Sequence, residues 1–302
     1  MEILRLVTVK KDEKVFIGVV DEEEKKVLHL REAQKQKGEK VTLPITMLEC
    51  IERGSECMEK VREIVNWANE NKLAAYYSLQ EVKLLAPIPR PRKNILCVGK
   101  NYREHALEMG GEESIPNNIM IFTKAPTTVI GNGEKINSHS HATSELDYEG
   151  ELAIVIGKRG KQIPKDKAME YIFGYTIVND ITARDIQRKH KQFFLGKSFD
   201  TFCPMGPYLV HKSGIQSPSQ LHIETKVNGE VRQTSNTENM IFPIEEIIST
   251  VSKGMTLEPG DIIATGTPAG VGKGFNPPKF LRAGDEVIVT VEGIGTLKNI
   301  VK

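Results

Sequence analysis

Residues 147–156 read Asp-Tyr-Glu-Gly-Glu-Leu-Ala-Ile-Val-Ile. Side chains alternate faces along a strand, so Glu149 and Glu151 share one face while Leu152, Ile154 and Ile156 share the other. At about 5 Å and an effective dielectric of about 20, two such carboxylates repel by roughly 3 kcal/mol. A buried strand does not carry that charge without a cation. A third acid, Asp180, closes the apolar run of residues 175–179. Three carboxylates with no cysteine or clustered histidine beside them favour a hard cation, Mg²⁺ or Mn²⁺. On pattern alone a plainer reading competes, with Glu149 and Glu151 on a solvated strand face and Asp180 capping the helix that follows.

Acid–base chemistry has a second candidate in Tyr102-Arg103-Glu104-His105-Ala106-Leu107-Glu108. On a helix, His105 and Glu108 share a face at i, i+3, where the carboxylate can hold and orient the imidazole. The competing reading is an exposed helix with a casual ion pair. Lys197, in Leu-Gly-Lys-Ser-Phe-Asp, is a further candidate, since Gly196 and Phe199 fit poorly with a plain surface lysine. Other motifs carry nothing. Residues 266–274 are glycine-rich, but Gly274 follows Lys273 where a phosphate loop needs Ser or Thr. His139 and His141 lack a third zinc ligand and read as loop residues. Cys203 precedes Pro204 in an expected loop with no base beside it. His190 belongs to a basic helix end, Arg188-Lys189-His190-Lys191.

The elements that must position these residues divide at residues 86–93, Ala-Pro-Ile-Pro-Arg-Pro-Arg-Lys, where three alternating prolines force an extended path. Before it, residues 2–9 and 14–20 read as strands, and 56–72 as a helix with Val61, Ile64, Val65 and Ala68 on one face. After it, strands are expected at 94–98, 119–122, 147–156, 175–180, 261–264 and 286–291. Helices are expected at 101–109, 166–172 and 243–251. Asn228-Gly229 marks a type I′ hairpin. The expected organisation is a small α/β unit over residues 1–86 and a β-rich α+β catalytic unit over 87–302.

Composition excludes several classes. The 302 residues are 39% hydrophobic and 27% charged, a globular balance. Lys and Arg number 41 against 40 Asp and Glu, so the formal net charge of +1 leaves no electrostatic footprint for nucleic acid. No apolar run is long enough for a membrane span or a signal peptide. The four cysteines form no C-x-x-C pair and read as reduced thiols of a cytoplasmic protein.

Taken together, Gly99-Lys100-Asn101-Tyr102, Asp147-Tyr148-Glu149-Gly150-Glu151 and Asn179-Asp180-Ile181-Thr182-Ala183-Arg184-Asp185 resemble the fumarylacetoacetate hydrolase family. So do Lys197-Ser198-Phe199-Asp200, Gly260-Asp261 and Gly266-Thr267-Pro268. The matches run in the family's order from about residue 84 to the C-terminus, and the first 85 residues look like the variable N-terminal domain of longer bacterial members. The resemblance implies a mixed β-sandwich or β-roll catalytic domain, a homodimer, and Mg²⁺ or Mn²⁺ held by Glu149, Glu151 and Asp180. It also implies His105 as general base with Glu108 as its orienting partner. Lys197 would point at the substrate. Gln187, Thr267, Lys124 and Arg184 would lie around it, with Arg184 also pairing with an acid.

The implied chemistry is one electron sink with several uses. Decarboxylation of a β-keto acid and hydrolysis of an acylpyruvate both generate an enolate on a 2-oxo group, where a bound cation is a Lewis acid. The expected substrate is a small 2-oxo mono- or dicarboxylic acid. Oxaloacetate decarboxylation to pyruvate and CO₂ comes first on the resemblance, acylpyruvate hydrolysis second, and isomerisation of 2-hydroxyhepta-2,4-diene-1,7-dioate third. A binding or scaffold protein on the same fold is the non-enzymatic alternative.

Overall fold

The computed structural model describes residues 3–23, 25–71 and 75–302. An antiparallel meander opens the chain: β1 (Arg5–Lys11), β2 (Lys14–Asp21) and β3 (Lys26–His29). The expected first two strands are there, with Glu2 outside the described residues. Asp12 and Glu13 turn β1 into β2 with φ of 45° and 63°, the left-handed pair of a type I′ turn. Two helices follow, α1 (Leu30–Gln36) and α2 (Met47–Asn71). The expected helix over 56–72 therefore starts earlier, at Met47, and its last residue, Lys72, lies outside the described residues. Its apolar face is buried as the spacing predicts, and Gly54 bends it with φ 55° and ψ −126°. Strands β4 (Tyr76–Ser78) and β5 (Lys83–Leu84) complete this part.

Beyond the proline-rich segment come β6 (Ile95–Gly99), α3 (Arg103–Gly110), β7 (Met120–Lys124), β8 (Val129–Ile130) and β9 (Lys135–Ile136). The strand expected across 147–156 is two pieces, β10 (Leu146–Asp147) and β11 (Gly150–Ile156). Residues 165–171 form a 3-10 turn after Pro164 where a helix over 166–172 was expected. Next are β12 (Ile172–Asn179), β13 (Thr182–Ala183), α4 (Arg184–His190) and α5 (Phe194–Lys197). Cys203 and Pro204, expected in a loop, open the strand β14 (Cys203–His211). Its prolines and Gly206 mimic a turn signal, but Pro204 stands at the start of the strand and Pro207 in the stretch where pairing with β12 shifts register, so little of the ladder is lost. The chain closes with β15 (His222–Val227), β16 (Glu230–Asn236), α6 (Ile244–Ser252), β17 (Ile262–Ala264), β18 (Glu286–Val291) and β19 (Gly295–Val301). Asn228 and Gly229 turn β15 into β16 with φ of 51° and 81°, as the Asn-Gly pair predicts.

The architecture is α+β and β-rich, as expected, with two facing sheets. The large sheet runs β4-β3-β2-β1-β14-β12-β11-β17-β6-β7, with β5 beside β1 and β8 beside β14. The smaller runs β16-β15-β18-β19-β9. One buried cluster joins Leu152, Ile154 and Ile177 of the large sheet to Ile223, Val289 and Leu297 of the small one. On the opposite face, Ala153, Val155 and Val178 cluster with Cys50, Ile51, Val61 and Ile64 of α2. The central strand β11 is therefore buried along its whole length. Leu6 of β1 pairs with Leu209 of β14, so the large sheet continues across the proline-rich segment into the N-terminal strands.

Candidate active site

The antiparallel pairing of β11 and β12 sets Gly150 opposite Asn179 and Glu151 opposite Val178. Glu149, just before β11, and Asp180, just after β12, thus emerge at the same end. The Asp180 N–H donates to the Glu149 carbonyl at 2.8 Å, and the Glu149 N–H donates to Asn179 Oδ1 at 3.1 Å. One carboxylate oxygen from each of Glu149, Glu151 and Asp180 lies within 4.8 Å of the others, and all three residues are buried. The end of β17 closes the group from the side, where the Gly266 N–H donates to Glu151 Oε2 at 2.8 Å. Gly266 has φ 102°, and a Cβ there would sit 2.7 Å from Asn101 Cβ, so only glycine allows this approach.

Three buried cations surround the acids. Lys197 Nζ bridges Glu149 Oε2 and Asp180 Oδ2 at 2.7 Å each, and lies 4.8 Å from the Phe122 ring centre. Lys124 Nζ donates to Asp180 Oδ1 at 2.5 Å and to the Ile181 carbonyl at 3.0 Å. Arg184 reaches Asp147 at 2.8 Å and Glu149 at 2.7 Å. Asp147 also accepts the N–H groups of Gly272 at 2.6 Å and Lys273 at 3.0 Å, which ties the 272–273 loop to the site. Burial raises the pKa of Glu149, but Lys197 and Arg184 outweigh it and hold the carboxyl well below its usual range. Burial and the neighbouring Asp180 and Glu149 push Glu151 well above its usual range.

These contacts test the fit of a dication. Four buried acids, Asp147, Glu149, Glu151 and Asp180, face three buried bases, Lys124, Arg184 and Lys197. One negative charge is left over, and Glu151 is the acid to which none of these bases is bonded. A buried carboxylate with one backbone donor and two acidic neighbours is unstable as a bare anion. Three converging oxygens of this kind fit a hard cation that keeps further positions for water or substrate.

A cavity of about 400 Å³ opens over the acids. Glu149, Glu151, Arg184, Gln187, Lys197 and Thr267 are all in its lining, and His105 stands on the wall. His105 Nδ1 lies 3.2 Å from Glu108 Oε2, as the i, i+3 spacing predicts, and Glu108 Oε1 also accepts the Gly270 N–H at 2.9 Å. Lys124 is different. It is fully buried and not part of the cavity lining, and its ammonium is bonded to Asp180 and the Ile181 carbonyl. Thr267 spends its hydroxyl within the protein, donating to the Gly150 carbonyl at 2.9 Å and accepting from Gln233 Nε2 at 2.7 Å. Arg184 pairs with Asp147 and Glu149 and not with Asp185, which binds Thr143 and the Ser144 N–H.

Sequence reasoning passed over three features. Asp147 stood in the motif but received no role. Gln233 of β16 accepts the Gly150 N–H at 3.0 Å and binds Thr267, and nothing in its neighbourhood of the sequence marks it. The third is a basic rim of Lys100, Arg188, Lys191 and Lys273, drawn from three separate segments.

Comparison with known proteins agrees with this geometry. Residues 94–302 match the family model for the fumarylacetoacetate hydrolase C-terminal domain. Oxaloacetate tautomerase YisK of Bacillus subtilis is 57% identical over 289 residues, 95% of this chain and 96% of that protein. Among solved structures, a fumarylacetoacetate hydrolase from Exiguobacterium antarcticum is 40% identical, with a TM-score of 0.83 over 99% of both chains. A 2-hydroxyhepta-2,4-diene-1,7-dioate isomerase from Mycobacterium marinum is 31% identical, with a TM-score of 0.72 over 99% of this chain and 98% of that one. A family whose enzymes use a divalent metal fits the acid triad and the two-sheet frame, and the chain belongs to the fumarylacetoacetate hydrolase family.

Proposed function

We propose that the protein is a divalent-metal-dependent enzyme of oxaloacetate, working on its enolate, with Mg²⁺ or Mn²⁺ held by Glu149, Glu151 and Asp180. The observation that carries this reading is the convergence of the three acids, two of which, Glu149 and Glu151, line the same cavity as His105 and Lys197. The name of the Bacillus subtilis relative supplies the substrate. A dication bound there supplies Lewis acidity for a 2-oxo oxygen. The chain's own residues do the rest. The basic rim draws in a dianion. Lys197 offers its ammonium to a substrate carboxylate or to the developing oxyanion. With Nδ1 donating to Glu108, His105 keeps Nε2 as the position that takes a proton from carbon and returns it. Gln187 and Thr267 shape the cavity wall, Arg184 holds Glu149 in place, and Lys124 holds Asp180.

Two outcomes place an enolate oxygen at the same 2-oxo position. Removal of a proton from C3 gives the oxaloacetate enolate, whose reprotonation completes keto–enol tautomerisation; loss of the distal carboxyl as CO₂ from the keto form leaves the pyruvate enolate, which a proton converts to pyruvate. The His105–Glu108 pair favours proton transfer as a central event, which also suits acylpyruvate hydrolysis and dienedioate isomerisation. Residues 1–86 form an accessory unit in this reading; the homodimer comes with the family resemblance, and the cytoplasmic setting with the reading of the four cysteines as reduced thiols. The test is turnover of oxaloacetate with Mg²⁺ or Mn²⁺, before and after EDTA, following enol absorbance and pyruvate separately. Activity in either channel that EDTA abolishes and metal restores is expected. Metal-loaded protein that turns over neither oxaloacetate nor acetylpyruvate would sink the proposal.

A further inference from the structure

Cys50 and Cys57 lie seven residues apart in α2. On a straight α-helix seven residues rise about 10.5 Å, so two such thiols could not meet. Their sulfurs are 2.9 Å apart, closer than non-bonded sulfurs pack. The cause is Gly54, which sits between them with φ 55° and ψ −126° and turns the second half of the helix against the first. No atom lies within 4 Å of a Cβ placed on Gly54, so this position is glycine for its backbone angle and not for lack of room.

The two thiols are not equivalent. Cys57 lines a cavity of about 300 Å³ with Thr42, Leu43, Arg53 and Lys60, and this cavity shares no residue with the one over the acid triad. Cys50 is fully buried behind it. Contact with Cys50 holds the Cys57 thiol below its ordinary value, and Arg53 helps against the opposing effect of burial. The same contact and burial push Cys50 up. The other two cysteines, Cys97 and Cys203, line neither cavity, and burial pushes both thiols up, Cys203 to about 12.

We propose that Cys50 and Cys57 form a peroxide-reactive dithiol that closes to an intramolecular disulfide across the Gly54 bend. The Cys57 thiolate attacks one oxygen of the peroxide, the O–O bond breaks, and hydroxide leaves and is protonated to water. Cys57 is then a sulfenic acid. The Cys50 sulfur attacks the Cys57 sulfur, the S–O bond breaks, and the hydroxyl departs as water with the proton of Cys50. Two thiols lose two electrons and one peroxide becomes two waters. A hydroperoxide is small enough for the Cys57 cavity, and a cellular thiol reverses the change by exchange.

The test treats the reduced full-length protein with hydrogen peroxide, then unfolds it, alkylates it and maps the peptides. Two of the four thiols should become closed to alkylation, in a single linked peptide joining Cys50 to Cys57, with full recovery on dithiothreitol. Cys50→Ser should stop at a sulfenic acid on Cys57 that dimedone traps, and Cys57→Ser should leave Cys50 unreacted. The wild-type map decides the matter even where a variant fails to fold. The proposal is overturned by four thiols that all remain alkylatable, by earlier loss of Cys97 or Cys203, or by links only between chains.

Discussion

Glu151 is the residue on which the charge of the site turns. It is buried, it accepts one backbone N–H, and its neighbours within the triad are acids. Replacing it with Gln removes the uncompensated charge while keeping the shape. Glu151→Gln should therefore raise the thermal midpoint of EDTA-treated protein and abolish the further rise that Mg²⁺ or Mn²⁺ gives the parent. Calorimetry with and without metal reads both effects. A variant still stabilised by metal would remove Glu151 from the ligand set. His105 makes a different prediction, because decarboxylation needs no proton taken from carbon. His105→Ala should cut tautomerisation about 100-fold or more, the usual scale for a positioned base, and pyruvate formation far less. Equal losses in both channels would contradict a proton-carrying role.

At the scale of elements, β11 does two jobs. Its start, with Glu149 just before it and Glu151 within it, supplies two of the acids, and its length is the joint between the sheets. Gly150 marks the crossing. A Cβ there would lie 2.2 Å from Thr225 Oγ1 and 2.9 Å from Val289 Cγ1, both on the facing sheet. Gly150→Ala should cost about 1–3 kcal/mol of stability through overpacking, measured by denaturant unfolding, even though φ there suits any residue. The end of β14 meets α2 in a similar way. His211 lies 2.8 Å from Ser213 Oγ and 3.5 Å from Arg62 of α2, with the Phe173 ring edge-on. Burial, aided by Arg62 and Lys212, lowers its pKa from 6.5 to about 4. The unfolded chain takes a proton there more readily than the folded one. The stabilising contribution is therefore complete above pH about 6.5 and is lost as pH falls toward about 4. It amounts to at most about 3 kcal/mol. His211→Asn should flatten the fall in thermal midpoint over that interval, and an unchanged slope would refute this account.

For the whole molecule, the N-terminal strands are part of the main sheet. Strand β1 covers the edge of β14, and α2 covers one face of the central strands. The apolar face of α2 has its partner inside the fold, among the central strands. A chain reduced to residues 87–302 would expose both the edge and the face. It should show a lowered thermal midpoint and concentration-dependent light scattering. A truncated chain as stable and monodisperse as the parent would show that residues 1–86 are an independent unit.

Much of the catalytic picture was readable in the linear chain because it depends on short-range rules. Strand alternation put Glu149 and Glu151 on one face, helical spacing put His105 beside Glu108, and Asn228-Gly229 specified its turn. Asp180 stood out at the end of an apolar run, and motif order pointed to the family and, through it, to a role for Lys197. What remained hidden depends on contacts between distant segments. Lys124 reads like a cavity residue at the end of its strand, and only the packing shows that its ammonium is bonded to Asp180. Gln233 reaches Gly150 and Thr267 only because a second sheet folds over the first. Cys50 and Cys57 sit at a spacing that forbids contact on a straight helix, and only the left-handed turn at Gly54 makes them neighbours. Periodicity reports which face a side chain takes within its own element. Which faces meet, and which charges end up without a partner, is settled by the closing of the sheets.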